Sequence, residues 1–293
     1  MRNEFAAAVM RQADNRDCFF LTGDLGFAAL EPVRAAFGER FINAGVAEQN
    51  MIGVAAGIAR TGARVYAYSI ASFASLRAVE HLRLDVVGAG VDVCVVGNGG
   101  GYGYGHMGPT HHALNDVGVL SSIGMTCLVP AFADQVGHFV RGWSGPTYLR
   151  LGRDALGKDS PAVSAGPLEL VIDGERAHVV ALGPLAGVAV QGFGDLDPAS
   201  RPAVWACTTL PLPQLPTRLT DGQPIVVFEE HERIGGLGQQ LAYALQKAGH
   251  GAPFVHAPAQ GYPTGRYGSQ EFHRHESGLD AQSMRRVWQS AVS

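Results

Sequence analysis

Residues 41–60, FINAGVAEQNMIGVAAGIAR, restrict the fold more than any other part of the chain. After Gly45 they read as a helix built almost entirely of small and apolar residues, with one carboxylate, Glu48, at its head. Such a helix is expected to be buried, and a lone buried carboxylate is costly unless something pairs with it. Glu48 could serve only to complement the positive end of the helix dipole, the common role of an acidic residue in a first turn. The rest of the helix argues for more. Gly53, Ala56 and Gly57 leave one face nearly bare, and each glycine gives up about 1 kcal/mol of helix propensity relative to alanine. That sacrifice predicts a second backbone packed close, with Glu48 at the edge of the contact.

Around this helix the hydrophobic pattern alternates between the periods of strand and helix. A first helix over 2–13 turns Phe5, Val9 and Met10 inward, and runs at 18–22, 64–69, 91–96 and 147–153 read as buried strands. Residues 70–73 lead into a helix reaching Val87. This alternation predicts an α/β fold with a parallel sheet covered on both faces. Residues 157–168 read as a linker between a first domain, 1–156, and a smaller α/β domain, 169–293. The second domain has strand-like runs at 178–182, 203–207 and 225–229, and a helix at 239–248 behind the glycine turn of 235–238.

With 46% hydrophobic and 16% charged residues, the 293-residue chain can build two cores and still present a sizeable subunit interface. A net charge of −4 without a basic run argues against nucleic acid. Cys18, Cys94, Cys127 and Cys207 lie far apart, with no CxxC pair, and read as reduced core thiols. The first residues carry no apolar signal region, and no run reaches the ~18 apolar residues of a membrane span, so a cytoplasmic location is expected.

The candidate site residues sit where the predicted strands end. Asp24 and Leu25 follow the first strand in a Gly-Asp-Leu-Gly stretch that could be an ordinary turn. Phe73 could be a core aromatic or a face for a flat cationic ring, with Ile70 and Leu76 beside it at helical spacing. The most glycine-rich stretch, 97–108, contains GxGxxG at 103–108, but Pro109 follows directly and a dinucleotide site is rejected. It reads as a loop at a strand's carboxyl end, where open parallel sheets place their ligands. His111 and His112 are adjacent and face different ways, which disfavours a shared metal and leaves capping or proton transfer open. Arg150 and Arg153 suit an anionic group by guanidinium geometry, or could be ion pairs only.

Asn43-Ala44-Gly45-Val46-Ala47-Glu48-Gln49-Asn50-Met51 together with Gly108-Pro109-Thr110-His111 resembles the pyrimidine-binding half of thiamine-diphosphate enzymes of the transketolase family, and is similar to 1-deoxyxylulose-5-phosphate synthases. The resemblance covers nearly the whole chain and corresponds to the second half of a full-length member. It implies that Glu48 bonds N1′ of the cofactor's aminopyrimidine and promotes the imino tautomer, which removes the thiazolium C2 proton; a glutamine could hold the ring but not exchange the proton. It further implies that Phe73 packs on the pyrimidine with Ile70, Leu76, Val46, Asp24 and Leu25 nearby, that His111 assists at the substrate beside His112 and Met107, and that Arg153, with Arg150 as competitor, holds a substrate phosphate.

There are departures from the family pattern. Met107 stands where transketolases have an Asp that reads a substrate hydroxyl, Asn98 or Gly99 stands where they have a His, and Gly26-Phe27-Ala28 replaces a phosphate-binding Ser. The resemblance gives the 229–238 stretch and the closing helices a mainly dimerising role. The family's Gly-Asp-Gly, which holds a divalent metal (Mg2+ or Ca2+) and the cofactor diphosphate, does not occur here. The resemblance therefore implies the β subunit of a split transketolase, paired with a separate amino-terminal diphosphate-binding subunit as α2β2 and self-associating through both domains. It would move a two-carbon ketol unit between small sugars. A deoxyxylulose-phosphate-synthase-like enzyme, the β subunit of a 2-oxoacid decarboxylating complex and a non-catalytic scaffold remain as alternatives.

Overall fold

The computed structural model describes residues 1–26, 29–157, 161 and 163–293. Phe27 and Ala28 of the first loop, and Lys158, Asp159, Ser160 and Ala162 of the expected linker, lie outside the described residues. The strands are β1 (Cys18–Thr22), β2 (Phe41–Asn43), β3 (Arg64–Ile70), β4 (Val93–Asn98), β5 (Thr126–Leu128), β6 (Thr147–Leu151), β7 (Leu168–Ile172), β8 (His178–Leu182), β9 (Ala203–Cys207), β10 (Thr209–Leu210), β11 (Ile225–Glu229) and β12 (Phe254–Pro258). The helices are α1 (Arg2–Met10), α2 (Glu31–Phe37), α3 (Glu48–Ala59), α4 (Val79–His81), α5 (Asp116–Ser122), α6 (Val136–Gly142), α7 (Leu185–Phe193), α8 (Leu237–Lys247), α9 (Gln270–Glu276) and α10 (Ala281–Val292).

Two sheets form, ordered β10-β5-β6-β4-β3-β1-β2 and β12-β11-β8-β9-β7. All pairings are parallel except at two edges, where β10 runs against β5 and β7 against β9. The fold is therefore α/β, as the alternation of periods predicted. β10 is a departure from a clean two-domain division: it follows β9 of the second sheet in sequence but extends the first. The apolar residues of the two sheets also meet directly, with Val129 of the first half and Leu182 of the second in one buried cluster.

The period-two pattern explains the layers. Along β1 and β3, Phe20, Tyr66 and Tyr68 point to the face covered by Phe5 and Val9 of α1, Val33 and Phe37 of α2, and Phe139 of α6. Their neighbours Leu21, Val65 and Ala67 point to the opposite face, against Met51, Ile52 and Ala55 of α3 and Leu120 of α5. Each fully buried side chain of this size contributes about 1.5–3 kcal/mol relative to exposure.

Two sequence expectations are modified. The segment after β3 is not one regular helix: α4 is flanked by wide π-helical turns at Phe73–Arg77 and Leu82–Val87, with Ala78 off helical geometry (φ −109°, ψ 13°). Such turns are frequent at functional sites. The face expected to be bare on α3 is split: Ala56 is buried in the core, whereas no atom of the described residues lies within 4 Å of where a Cβ on Gly53 or Gly57 would sit.

The sheet order places the site. From β1 the chain turns to one side to make β2 and then crosses to the other side for β3 and β4, so the carboxyl ends of β1 and β3 flank a topological switch point. Register aligns Thr22 with Asn43 and with Tyr68, and Ile70 with Asn98, along one rim. The head of α3, which follows β2, arrives at this rim.

Candidate active site

α3 begins at Glu48, whose side chain is only 1% exposed. The carboxylate has a partner on each oxygen: Ser69 Oγ, from the end of β3, donates to Oε1 at 2.9 Å, and Arg77 Nη1 lies 2.6 Å from Oε2. Gly23, at the end of β1, closes the third side. A Cβ there would fall 3.3 Å from Ser69 Oγ, a tight approach, and 3.5 Å from Glu48 Oε1, at van der Waals contact, so the strand end packs directly against the carboxylate and its hydroxyl partner.

From Glu48 a chain of contacts runs outward. The Arg77 guanidinium lies 4.3 Å from the centroid of the Phe73 ring, across the first wide turn. The Phe73 ring meets His111 at 5.1 Å between centroids, and Tyr104 meets His111 from another side at 5.6 Å. Ser72 Oγ donates to the His111 carbonyl at 3.1 Å and ties that loop to the β3 end. The Thr110 hydroxyl can donate to the Met107 carbonyl at 3.1 Å while standing 2.8 Å from His111 Nδ1. With its proton so used, it accepts from Nδ1–H, which leaves Nε2 of a neutral His111 with the lone pair. The arrangement can hold a flat nitrogen heterocycle against Phe73, exchange a proton through Glu48 and accept one at His111.

The remaining sequence candidates divide. Ile70 is buried at the end of β3 beside Phe73's helix, whereas Val46, Met107 and Leu76 are exposed on the outer surface of the same rim. Asp24 takes a left-handed conformation (φ 58°) and is latched to Asn43: Nδ2 of Asn43 donates to its carboxylate at 2.8 Å, and Oδ1 of Asn43 accepts from the Asp24 and Gly45 backbone N–H groups. Leu25 is half-buried, and its carbonyl accepts from the Thr22 hydroxyl at 3.2 Å.

Arg150 and His112 do not reach the rim. Arg150 is buried, with Nε 3.1 Å from Asp116 Oδ2 and Nη2 donating to the Ala113 and Glu230 carbonyls. Burying a guanidinium demands such partners, and Arg150 pairs with Asp116 and joins the two halves of the chain rather than facing a substrate anion. His112 is likewise turned inward, its ring nitrogens 2.7 Å from the Tyr262 hydroxyl and 2.9 Å from the Gly105 carbonyl. Burial pushes its imidazole down to about 4, against the raising effect of the Gly105 carbonyl, so it is neutral at pH 7.

The glycine-rich loop serves the same interior joint: a Cβ on Gly100 would fall 2.3 Å from Arg150 Nε, and one on Gly101 2.3 Å from Glu230 Oε2. Arg153 is the exposed arginine, 2.9 Å from Glu271 Oε1. It borders an open cavity of about 770 Å³ lined also by Arg2, Asn98, Tyr104, His106 and Gln270.

Sequence reasoning missed Ser69, Arg77 and Tyr104. Arg77 carried a readable signal, four residues after Phe73 on a helical segment, the spacing at which side chains meet. Ser69 and Tyr104 carried none beyond their place at a strand end and in a loop.

This geometry and the sequence define one class: the chain belongs to the transketolase family, whose pyrimidine binding domain matches residues 6–158. Among individual proteins it is 28% identical over 278 residues to an apulose-4-phosphate transketolase subunit of Actinobacillus succinogenes, covering 88% of this chain and 86% of that protein. It is 30% identical over 223 residues to a 6-deoxy-6-sulfo-D-fructose transketolase subunit of a Clostridium species, covering 70% of this chain and 67% of the relative. Among solved structures, a split-gene transketolase described as an inactive β4 tetramer superposes with a TM-score of 0.82 at 27% identity, covering 99% of this chain and 97% of the other.

Proposed function

We propose that the chain is the carboxyl-terminal subunit of a split, thiamine-diphosphate-dependent transketolase and supplies the pyrimidine side of a site completed by a separate diphosphate-binding subunit. The observation that carries this reading is Glu48: a buried carboxylate at the switch point, one oxygen held by Ser69 and the other by Arg77, whose guanidinium lies over the Phe73 ring. The match over most of the length of a relative that is itself named as one subunit of a transketolase supports the division into two chains.

The residues fit the cofactor. Glu48 would bond the ring nitrogen of the aminopyrimidine, and Phe73 would stack on its face. The divalent metal is assigned to the partner subunit. When bound, thiamine diphosphate supplies a nucleophilic carbon that cleaves and rebuilds the bond next to a ketose carbonyl.

His111, with Nδ1 committed to Thr110, acts at Nε2 as proton acceptor and donor for the sugar hydroxyl at the reacting carbon. Arg153 holds the far end of the substrate. The relatives are named for a sugar phosphate and a sugar sulfonate, both ending in a tetrahedral anion. An exposed guanidinium on the rim of the cavity suits that group.

The test is reconstitution. The chain, an amino-terminal partner encoded with it, thiamine diphosphate and Mg2+ are mixed and assayed for ketol transfer from a panel of ketose phosphates and sulfonates, with carbon dioxide release from pyruvate followed in parallel. Transfer that requires both chains, and no pyruvate decarboxylation, is expected. Pyruvate decarboxylation without ketol transfer would move the chain to a different reaction.

A further inference from the structure

Arg77 occupies an unexpected place. Its guanidinium is a flat cation with N–H donors in its plane, and it lies both on Glu48 Oε2 at 2.6 Å and over the Phe73 ring at 4.3 Å. These are the two contacts, a donor to the carboxylate and a flat ring on the aromatic face, that the aminopyrimidine needs under the function proposed above. We infer that Arg77 is a latch: in the partner-free chain its guanidinium stands in for the cofactor's pyrimidine, and it must swing away before the cofactor is seated.

Of the two groups on the carboxylate, Arg77 is the one built to leave. Ser69 is fully buried on β3, whereas the Arg77 side chain is 43% exposed at the end of a wide turn, next to a non-helical Ala78. The latch also accounts for how the chain tolerates a buried carboxylate before its partner arrives: an unpaired ion at that depth is expensive, and Arg77 neutralises it. Its cost falls on the cofactor. Binding competes with an internal contact, and the apparent affinity is lowered by the fraction of molecules in which the latch is closed.

The inference rests on the thiamine-diphosphate reading of the site, and its test keeps the two apart. Complexes reconstituted with wild-type chain, Arg77→Ala and Arg77→Lys are titrated with thiamine diphosphate at saturating Mg2+ by calorimetry, and each variant chain is checked by thermal unfolding. Cofactor binding by the wild-type complex at all tests the reading of the site; the ratio between proteins tests the latch. Arg77→Ala is expected to bind more tightly by about 3- to 30-fold, the range spanned by one partly exposed ion pair and one cation–π contact. Arg77→Lys, which keeps the charge but not the flat ring, should fall between it and wild type.

Affinity that is unchanged or weaker in both variants overturns the latch and makes Arg77 a structural or cofactor-holding residue. Should the alanine variant fail to fold, the lysine variant decides by the same comparison. No binding by any of the three complexes overturns the cofactor reading and the latch with it.

Discussion

Glu48 shows how one residue can be held in an unfavourable place. Its carboxylate is drawn out of water by α3, and the cost is offset by a hydroxyl from β3 and a guanidinium from the following turn, so three successive elements converge on two oxygen atoms. His112 solves the inverse problem by staying neutral. It is packed against Tyr102, Tyr262 and His273, with Tyr262 and the Gly105 carbonyl on its nitrogens. Its depressed value in the folded chain, about 4 against an ordinary 6.5, means that the unfolded chain takes up the proton first as pH falls.

Stability should therefore fall as pH drops from about 6.5 towards 4, by on the order of 2 kcal/mol from this residue once pH 5 is reached. Burial acts in the same direction on His178 and His273, which adds to the slope. Urea unfolding at pH 7.5 and pH 5 measures it: His112→Gln should be less stable at pH 7.5 but lose less on acidification, and a slope unchanged by the substitution would contradict this account of His112.

At the scale of elements, the glycine-rich loop after β4 and the end of β6 form the joint between the halves of the molecule. Arg150 on β6 reaches Asp116 at the start of α5 and the Glu230 carbonyl just beyond β11, while Tyr148 donates to Asp116 at 2.6 Å. Arg150→Met should cost about 3–5 kcal/mol in chemical unfolding because it leaves the buried Asp116 without its countercharge, with only the Tyr148 hydroxyl on it. The double variant with Asp116→Asn should recover part of that loss; a cost under about 1 kcal/mol for the single change would show that the ion pair does not hold the joint.

This joint also marks where the sequence ceased to be readable. Strands at 18–22, 178–182, 203–207 and 225–229 could be read directly because continuous apolar runs have few other uses in a chain of this kind. The two-residue β10 and three-residue β5 could not, since pieces so short have no period. Glu48, Phe73 and His111 could be picked out as residue types out of keeping with their surroundings or matched to a family motif. That Arg153 lies exposed while Arg150, three residues earlier and similar in every local respect, is buried depends on partners 37 and 80 residues away. No local pattern encodes that.

At the scale of the whole molecule, the surface near the site exposes apolar side chains. Gly53 and Gly57 open a flat strip on α3, and Val46, Val54, Leu76 and Leu84 are exposed apolar residues on α3 and its flanking segments. Exposed apolar side chains next to a site are the kind of surface a subunit interface uses. Under the proposed function this is where the assembly closes over the cofactor, and the close backbone approach foreshadowed by the glycines is made by another chain.

Under that function Glu48 of this chain activates a cofactor held jointly with a partner. The most direct measurement is the rate at which the C2 proton of thiamine diphosphate exchanges with deuterium in the reconstituted complex, read by acid quench and NMR for wild type and Glu48→Gln. Exchange in the wild-type complex is expected to be far faster than for free cofactor, and slower by about 10²- to 10⁴-fold in the variant with the cofactor still bound. Equal exchange rates in the two complexes would contradict the role assigned to Glu48.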